Sequence, residues 1–231
     1  MTPTKPLAAL AFSGGMDSTT LAAHYFGLGY DLLLLSFDYG QRHARELEAA
    51  RTIAAHYGAE HHVVDLTAVG ALMPGSALTD RTVDVPEGHY AAESMRATVV
   101  PNRNAIMANV AAGIASARGA LVVALGIHAG DHAVYPDCRP AFLDALQASV
   151  RAALDGFPTP IVEAPFLHLS KTDIARASVR LDAPVRLSWS CYKGGAAHCG
   201  RCGTCVERHE AFVDAGLVDP TRYDVQDEAV V

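Results

Sequence analysis

The chain has 231 residues, half of them hydrophobic and 19% charged, and its 25 acidic against 18 basic side chains give a formal net charge of −7. This composition excludes a disordered or low-complexity chain, and a length of this order lets roughly 70% of the unfolded surface be buried. The acidic balance excludes a broad electrostatic footprint for duplex nucleic acid or an anionic membrane, and leaves room for a small anionic substrate in a local pocket.

Apolar strand-like runs alternate with amphipathic or buried helical stretches. PLAALAF (6–12) reads as a strand that ends in Ser13-Gly14-Gly15, and a helix follows over 17–26. DLLLLSF (31–37) is a second strand, RELEAARTIAAHYG (45–58) a helix with Gly58 as its stop signal, and HHVVDL (61–66) a third strand. Residues 67–101 hold scattered turn formers and read as a long irregular excursion of the functional-loop kind. A buried helix is expected over 104–117, strands over 120–127 and 159–165, and helices over 140–154 and from the Ser170 cap to about Arg180. A cysteine segment, a short helix over 206–215 and a polar tail close the chain. Continuous apolar strands separated by helices imply a parallel α/β sheet, Rossmann-like, with helices on both faces. Ligands of such sheets bind beyond the carboxyl ends of the strands. No apolar run approaches the roughly 20 residues that span a bilayer, and MTPTKPLAALAFSGG lacks a cleavage site, so a cytoplasmic chain without a membrane partner is expected.

The segment AFSGGMDSTT lies where the first strand meets the first helix. Its glycines can turn tightly and present bare N–H groups, Ser13, Ser18 and Thr19 add hydroxyls, and the helix start adds its own amides and dipole. That is an anion cradle sized for phosphate or pyrophosphate; a plain capped turn is the bland alternative. Asp17 would repel phosphate, so its expected work is to hold Mg²⁺ or cap amides. Neither G-x-x-x-x-G-K-[ST] nor G-x-G-x-x-G is present, which disfavours kinase, GTPase and dinucleotide chemistry.

The string SCYKGGAAHCGRCGTC places Cys191, Cys199, Cys202 and Cys205 within fifteen residues. Two-residue spacings let thiolates converge on one centre, and four thiolates suit a closed structural Zn²⁺ site; an iron–sulfur cluster is the competing reading. Three further clusters fall at strand or helix ends. DYGQRH contains Asp38 and Gln41, VPNRN contains Arg103 and Asn104, and GIHAGDHAVYPDCR contains His128, Asp131, His132, Tyr135, Asp137, Cys138 and Arg139. Each is either a polar loop or a pocket rim. The two histidines sit in an expected loop and make a poor metal pair, and Cys138 reads as a small buried thiol. Lys171 stands at a helix start, where it opposes the dipole unless a phosphate lies nearby.

SGGMDS between a first strand and a first helix resembles the PP-loop of the ATP pyrophosphatases. With DYGQRH, VPNRN, GIHAGDHAVYPDCR, HLSKTDI and the four-cysteine ending in the same order, the chain resembles the 7-cyano-7-deazaguanine synthase family over about residues 8–213. The resemblance implies an adenine nucleotide alpha hydrolase-like fold over residues 1–185, with a zinc-binding segment over 186–231 packed on it. It implies an ATP-dependent ligase that turns 7-carboxy-7-deazaguanine and ammonia into the nitrile through adenylated acid and amide, in queuosine biosynthesis, acting as a homodimer. It also implies roles. Phe12, Ser13, Gly14, Gly15, Asp17, Ser18, Asp38, Gln41 and Lys171 would bind ATP. Asp17, Lys171 and Arg103 would be catalytic. Asn104, Asp131, Tyr135, Asp137 and Arg139 would hold the deazapurine carboxylate, and the four cysteines would bind one Zn²⁺. A PP-loop enzyme that thiolates tRNA is the runner-up; it would need a basic surface, and residues 186–231 carry five basic against seven acidic side chains. No nucleic-acid partner is therefore expected.

Overall fold

The computed structural model describes residues 5–90 and 92–224. The run Leu7–Ala11 forms the central strand β1, flanked in parallel by β2 (Asp31–Asp38) and β4 (Val122–Ala124). β3 (Glu60–Asp65) and β5 (Ile161–Glu163) complete a five-stranded parallel sheet of order β3-β2-β1-β4-β5. The helices are α1 (Met16–Gly27), α2 (Arg45–Tyr57), the single turns α3 (Thr67–Gly70) and α4 (Ala92–Met95), α5 (Arg103–Arg118), α6 (Pro140–Ala153), α7 (Lys171–Arg180) and α8 (Gly203–Asp214).

Side chains alternate across each strand, so successive apolar residues enter different cores. Ala8, Leu10, Leu32 and Leu34 pack with Leu21 and Tyr25 of α1, Ile53 of α2, Ile174 of α7 and Phe212 of α8. Ala9, Leu33, Leu35 and Val123 pack on the other face with Ala108, Ala111 and Ala115 of α5 and Leu146 and Val150 of α6. The helix stops follow the sequence. Gly58 and Gly119 end α2 and α5 at φ 60° and 68°, a region costly for other residues. Ser170 and Asp173 form a reciprocal capping box at the start of α7.

Three expectations are adjusted. β4 and β5 each shrink to three residues, because each pairs with the other only over Val122–Ala124 and Ile161–Glu163. α8 starts at Gly203 rather than 206, with Cys202 as its N-cap residue. The 67–101 excursion is less formless than expected. It contains two short helices, its Ala77 and Val85 pack on Cys191, Cys202 and Cys205, and Glu87 bridges to Cys202. The end of the polar tail, residues 225–231, lies outside the described residues. No helix among the described residues is long and apolar enough to cross a membrane.

Candidate active site

A pocket opens beyond the carboxyl ends of β1, β2 and β4, as the topology requires. Its floor is the β1–α1 loop. Gly14 adopts φ +81°, and a Cβ there would stand 2.5 Å from the Glu46 carbonyl and 2.7 Å from the Ala50 nitrogen of α2. Gly14→Ala therefore combines a left-handed φ with a backbone clash, and should cost about 2–5 kcal/mol. Denaturant unfolding checks this against Gly15→Ala, whose Cβ would meet nothing closer than Ser13 Oγ at 3.2 Å and should cost far less.

The loop's donors are arranged differently from the reading of bare glycine amides. Gly14 N donates to Ser18 Oγ and Gly15 N to Ser13 Oγ, both at 3.1 Å, so those two are already satisfied. The available donors belong to the first turn of α1, which no side chain caps. An uncapped helix start facing a pocket is the anion-binding element here.

Beside it lies a charged cluster assembled from four distant segments. Lys171 Nζ, at the first residue of α7, donates to Asp17 Oδ2 at 2.7 Å and stands 3.3 Å from Glu207 Oε2 on α8. His128 is buried. Its Nδ1 accepts from Gly130 N, and its Nε2 stands 3.4 Å from Asp131 Oδ2 and 3.4 Å from Lys171 Nζ. Tyr90 donates to Asp131 Oδ1 at 3.1 Å. Burial opposes ionisation of Asp17, but the Lys171 ammonium and His128 overcome it and hold the carboxyl below its ordinary range. For Glu207 burial wins over Lys171, and its carboxyl is pushed up. Burial alone would lower the Lys171 ammonium; Asp17 and Glu207 reverse this and push it up. The Asp17 Oδ1 atom is buried and has no hydrogen-bond partner among the described residues. A divalent cation or a substrate donor fits that atom.

A second wall is aromatic. Tyr39, Tyr135 and Tyr192 stand around Arg103, the first residue of α5, whose Nη1 donates to Tyr39 Oη at 3.3 Å, and Trp189 lines the pocket near Gly15. Asn104 N donates to Asp137 Oδ2, and Asn104 Nδ2 to the Asp137 carbonyl and to Cys138 Sγ, which ties the 126–139 loop to the start of α5. Cys138 is buried, and that burial pushes its thiol up, so it stays a neutral filler.

Of the residues singled out from sequence, Phe12, Ser13, Gly15, Asp17, Ser18, Arg103, Asn104, Asp131, Tyr135 and Lys171 line this pocket. Gly14 lies beneath it against α2. Gln41 is buried and spends its amide on the Tyr39 nitrogen, the Phe37 carbonyl and Glu46. Asp38 accepts from Gly40 N in a tight turn. Asp137 and Arg139 stand behind the wall, Arg139 Nε bonding the His132 carbonyl. Tyr39, Tyr90, Trp189, Tyr192 and Glu207 also line the pocket, and no motif or spacing singles them out.

The four cysteine sulfurs all lie within 4.8 Å of one another and form the only such ligand group among the described residues. A tetrahedral ion with Zn–S bonds of about 2.3 Å needs sulfurs about 3.8 Å apart; Cys199 and Cys205 stand at 4.0 Å without a disulfide. Amides of Cys199, Arg201 and Cys202 point at cysteine sulfurs, a pattern that stabilises thiolates. The group can hold one metal ion. It is joined to the pocket by α8, which runs from Cys205 to Glu207 within one turn.

A family model described as Queuosine biosynthesis protein QueC matches residues 7–216. A 7-cyano-7-deazaguanine synthase of Rhizobium meliloti (strain 1021) is 56% identical over 216 residues, 93% of this chain and 91% of that protein. One of Paracoccus denitrificans (strain Pd 1222) is 55% identical over 215 residues, 93% and 92% of the two chains. Among solved structures, a 4-thiouridine synthetase in complex with RNA and with bound ATP superposes with a TM-score of 0.51 at 19% identity, over 79% of this chain and 42% of that one, which establishes a common fold. With more than nine-tenths of the chain matched by these relatives, it belongs to the QueC family of queuosine biosynthesis proteins.

Proposed function

We propose that the chain is an ATP-dependent carbon–nitrogen ligase that makes 7-cyano-7-deazaguanine from 7-carboxy-7-deazaguanine and ammonia. The observation that carries this reading is the uncapped start of α1, set between Lys171 and the orphaned Asp17 Oδ1 in the pocket of a chain so similar to 7-cyano-7-deazaguanine synthases. A carboxylate resists ammonia because resonance and charge protect its carbon. Attack of its oxygen on the α-phosphorus breaks the bond to pyrophosphate and gives an acyl adenylate. Ammonia then displaces AMP and leaves the amide. Adenylation of the amide oxygen by a second ATP, followed by loss of AMP and two protons, yields the nitrile.

In this scheme the first-turn amides of α1, with the hydroxyls of Ser13 and Ser18, hold the departing pyrophosphate over the Gly14-Gly15 turn, and Lys171 offsets its charge. Phe12 walls the nucleotide. Gln41 and Asp38 act at one remove, by fixing Tyr39 and the turn at the end of β2. Asp17 Oδ1 suits Mg²⁺, which when bound would neutralise phosphate charge. Asn104, Asp131 and Tyr135 face the deazapurine, and Asp137 and Arg139 hold that wall in place. The cysteine site suits structural Zn²⁺, since four thiolates close the coordination and no step of the reaction calls for redox chemistry. A cytoplasmic homodimer is part of the reading. Leu121, Ile161 and Phe157 are exposed at or near β5, the last strand of the sheet order, an apolar margin suited to a second copy.

Protein supplied with the acid, ammonium and MgATP should release AMP and pyrophosphate and form the nitrile, read by mass spectrometry of nucleotide and base. ADP as sole nucleotide product would overturn the reading. Metal analysis of the same preparation should find about one zinc per chain and no iron.

A further inference from the structure

The charged groups that line the pocket fall into two sets. Around Lys171 and His128 stand three carboxylates, Asp17, Asp131 and Glu207. Around Arg103 stand Tyr39, Tyr135 and Tyr192, and no carboxylate among the described residues pairs with it. A guanidinium has five N–H donors, and among the described residues the hydrogen bond of the Arg103 guanidinium is to the Tyr39 hydroxyl at 3.3 Å. Tyr39 is no counterion, because burial pushes its phenol up to about 12 and keeps it neutral. The stem is anchored. Asn102, at φ 59°, sets the start of α5, Arg103 N bonds the Val100 carbonyl, and Asp137 receives the next amide.

An anionic substrate entering this pocket meets two cations. Lys171 is already engaged by two carboxylates, while Arg103 has its fork open and aromatic rings beside it. A planar heterocycle bearing a carboxylate matches that wall, with rings against the tyrosines and oxygens on the fork. We propose that Arg103 is the residue that reads the exocyclic carboxylate of the substrate, so that it discriminates the acid from the amide formed midway through the reaction. This rests on the reaction given above. The acid presents two charged acceptor oxygens to the fork; the amide presents one neutral oxygen and an NH₂ that cannot accept. Arg103 therefore serves the first adenylation far more than the second.

The test supplies 7-carboxy-7-deazaguanine and the corresponding 7-amide separately, with MgATP, to the wild-type protein and to Arg103→Met and Arg103→Lys. Metal content and circular dichroism establish folding, and Arg103→Lys preserves stem and charge should the Met variant fail to fold. With Arg103→Met, kcat/KM for the acid should fall about 100-fold, as expected for loss of charged hydrogen bonds. The loss with the amide should be at least tenfold smaller, and KM for ATP should move less than threefold. Arg103→Lys, a point charge without the fork, should lie between. Calorimetric titration without ATP should lose acid binding in the same order. Equal losses for acid and amide would overturn the proposal, and so would a rise in KM for ATP matching the loss with acid, which would place Arg103 on phosphate. A wild-type protein that converts neither compound would instead sink the reaction assigned above.

Discussion

Lys171→Met should lower kcat for nitrile formation by about 10²–10³-fold, the cost of removing one fixed charge from a developing anion. It should also destabilise the fold. Lys171 bridges Asp17 in the first turn of α1 and Glu207 of α8, and removing it leaves two partly buried carboxyls without their shared cation. Breaking such a pair from one side costs about 3 kcal/mol. The pH dependence separates this from a packing defect. Asp17 titrates below its ordinary range in the folded protein, so its contribution is fully present above the unfolded value near 3.9 and is lost as pH falls through the folded one. The stability gap between wild type and Lys171→Met should therefore be largest at neutral pH and narrow below about pH 5, in urea titrations run across that range. Lys171→Arg should recover most of the stability and only part of the rate, because the guanidinium fork cannot place one donor where Nζ stands. A wild-type kcat in Lys171→Met would remove the residue from the reaction.

That cluster also marks where reading the sequence stops. SGGMDS was legible because its chemistry is local: a strand end, a tight turn and a helix start lie within a few residues. The four cysteines were legible for the same reason, as were the strands, whose apolar runs are continuous because both faces are covered. Which side chains would meet was not. Lys171 reaches Asp17 across 154 positions, and Glu207 joins them only because α7 and α8 pack side by side. No periodicity or spacing carries that information. Tyr90 comes from the excursion that had no pattern to read, yet it meets Asp131 in the pocket. Gln41 and Asp137 are the converse, polar residues in loops at strand ends that look like rim. Tyr39 N donates to Gln41 Oε1 and Asn104 N to Asp137 Oδ2, a common fate of a polar group in a tight turn. The glycine amides of the phosphate loop are satisfied in the same way, by neighbouring serines, and the available donors lie in the first turn of α1.

Cys202→Ser should abolish metal binding and lower the melting temperature by 10 °C or more. A structural thiolate site contributes folding free energy comparable to the whole stability of a domain. A loss of even about 5 kcal/mol shifts Tm by roughly 10–20 °C at this chain length. The consequence should spread along defined contacts. Cys202 precedes α8 and is bridged to Glu87 of the excursion. Two turns further on, α8 presents Arg208, fully buried, which donates to the Val185 carbonyl and to Ser188 and pairs with Asp219. Between them lies Glu207, the second partner of Lys171. Loss of metal should thus free the first turn of α8 and residues 84–88, while the sheet, whose cores are independent of the sulfurs, persists. Hydrogen exchange read by mass spectrometry should show rapid deuteration of 84–88 and 200–208 in Cys202→Ser or in chelator-treated protein, with β1 and β2 still protected. Activity should fall with the same dose of chelator and return when zinc is restored. Because Glu207 is the mechanical link, Glu207→Gln should leave metal content unchanged and still weaken the hold on Lys171, lowering kcat without raising exchange at 84–88. If chelation instead leaves exchange and melting untouched, the four sulfurs are not a structural metal site, and the coupling from cysteine segment to lysine fails with it.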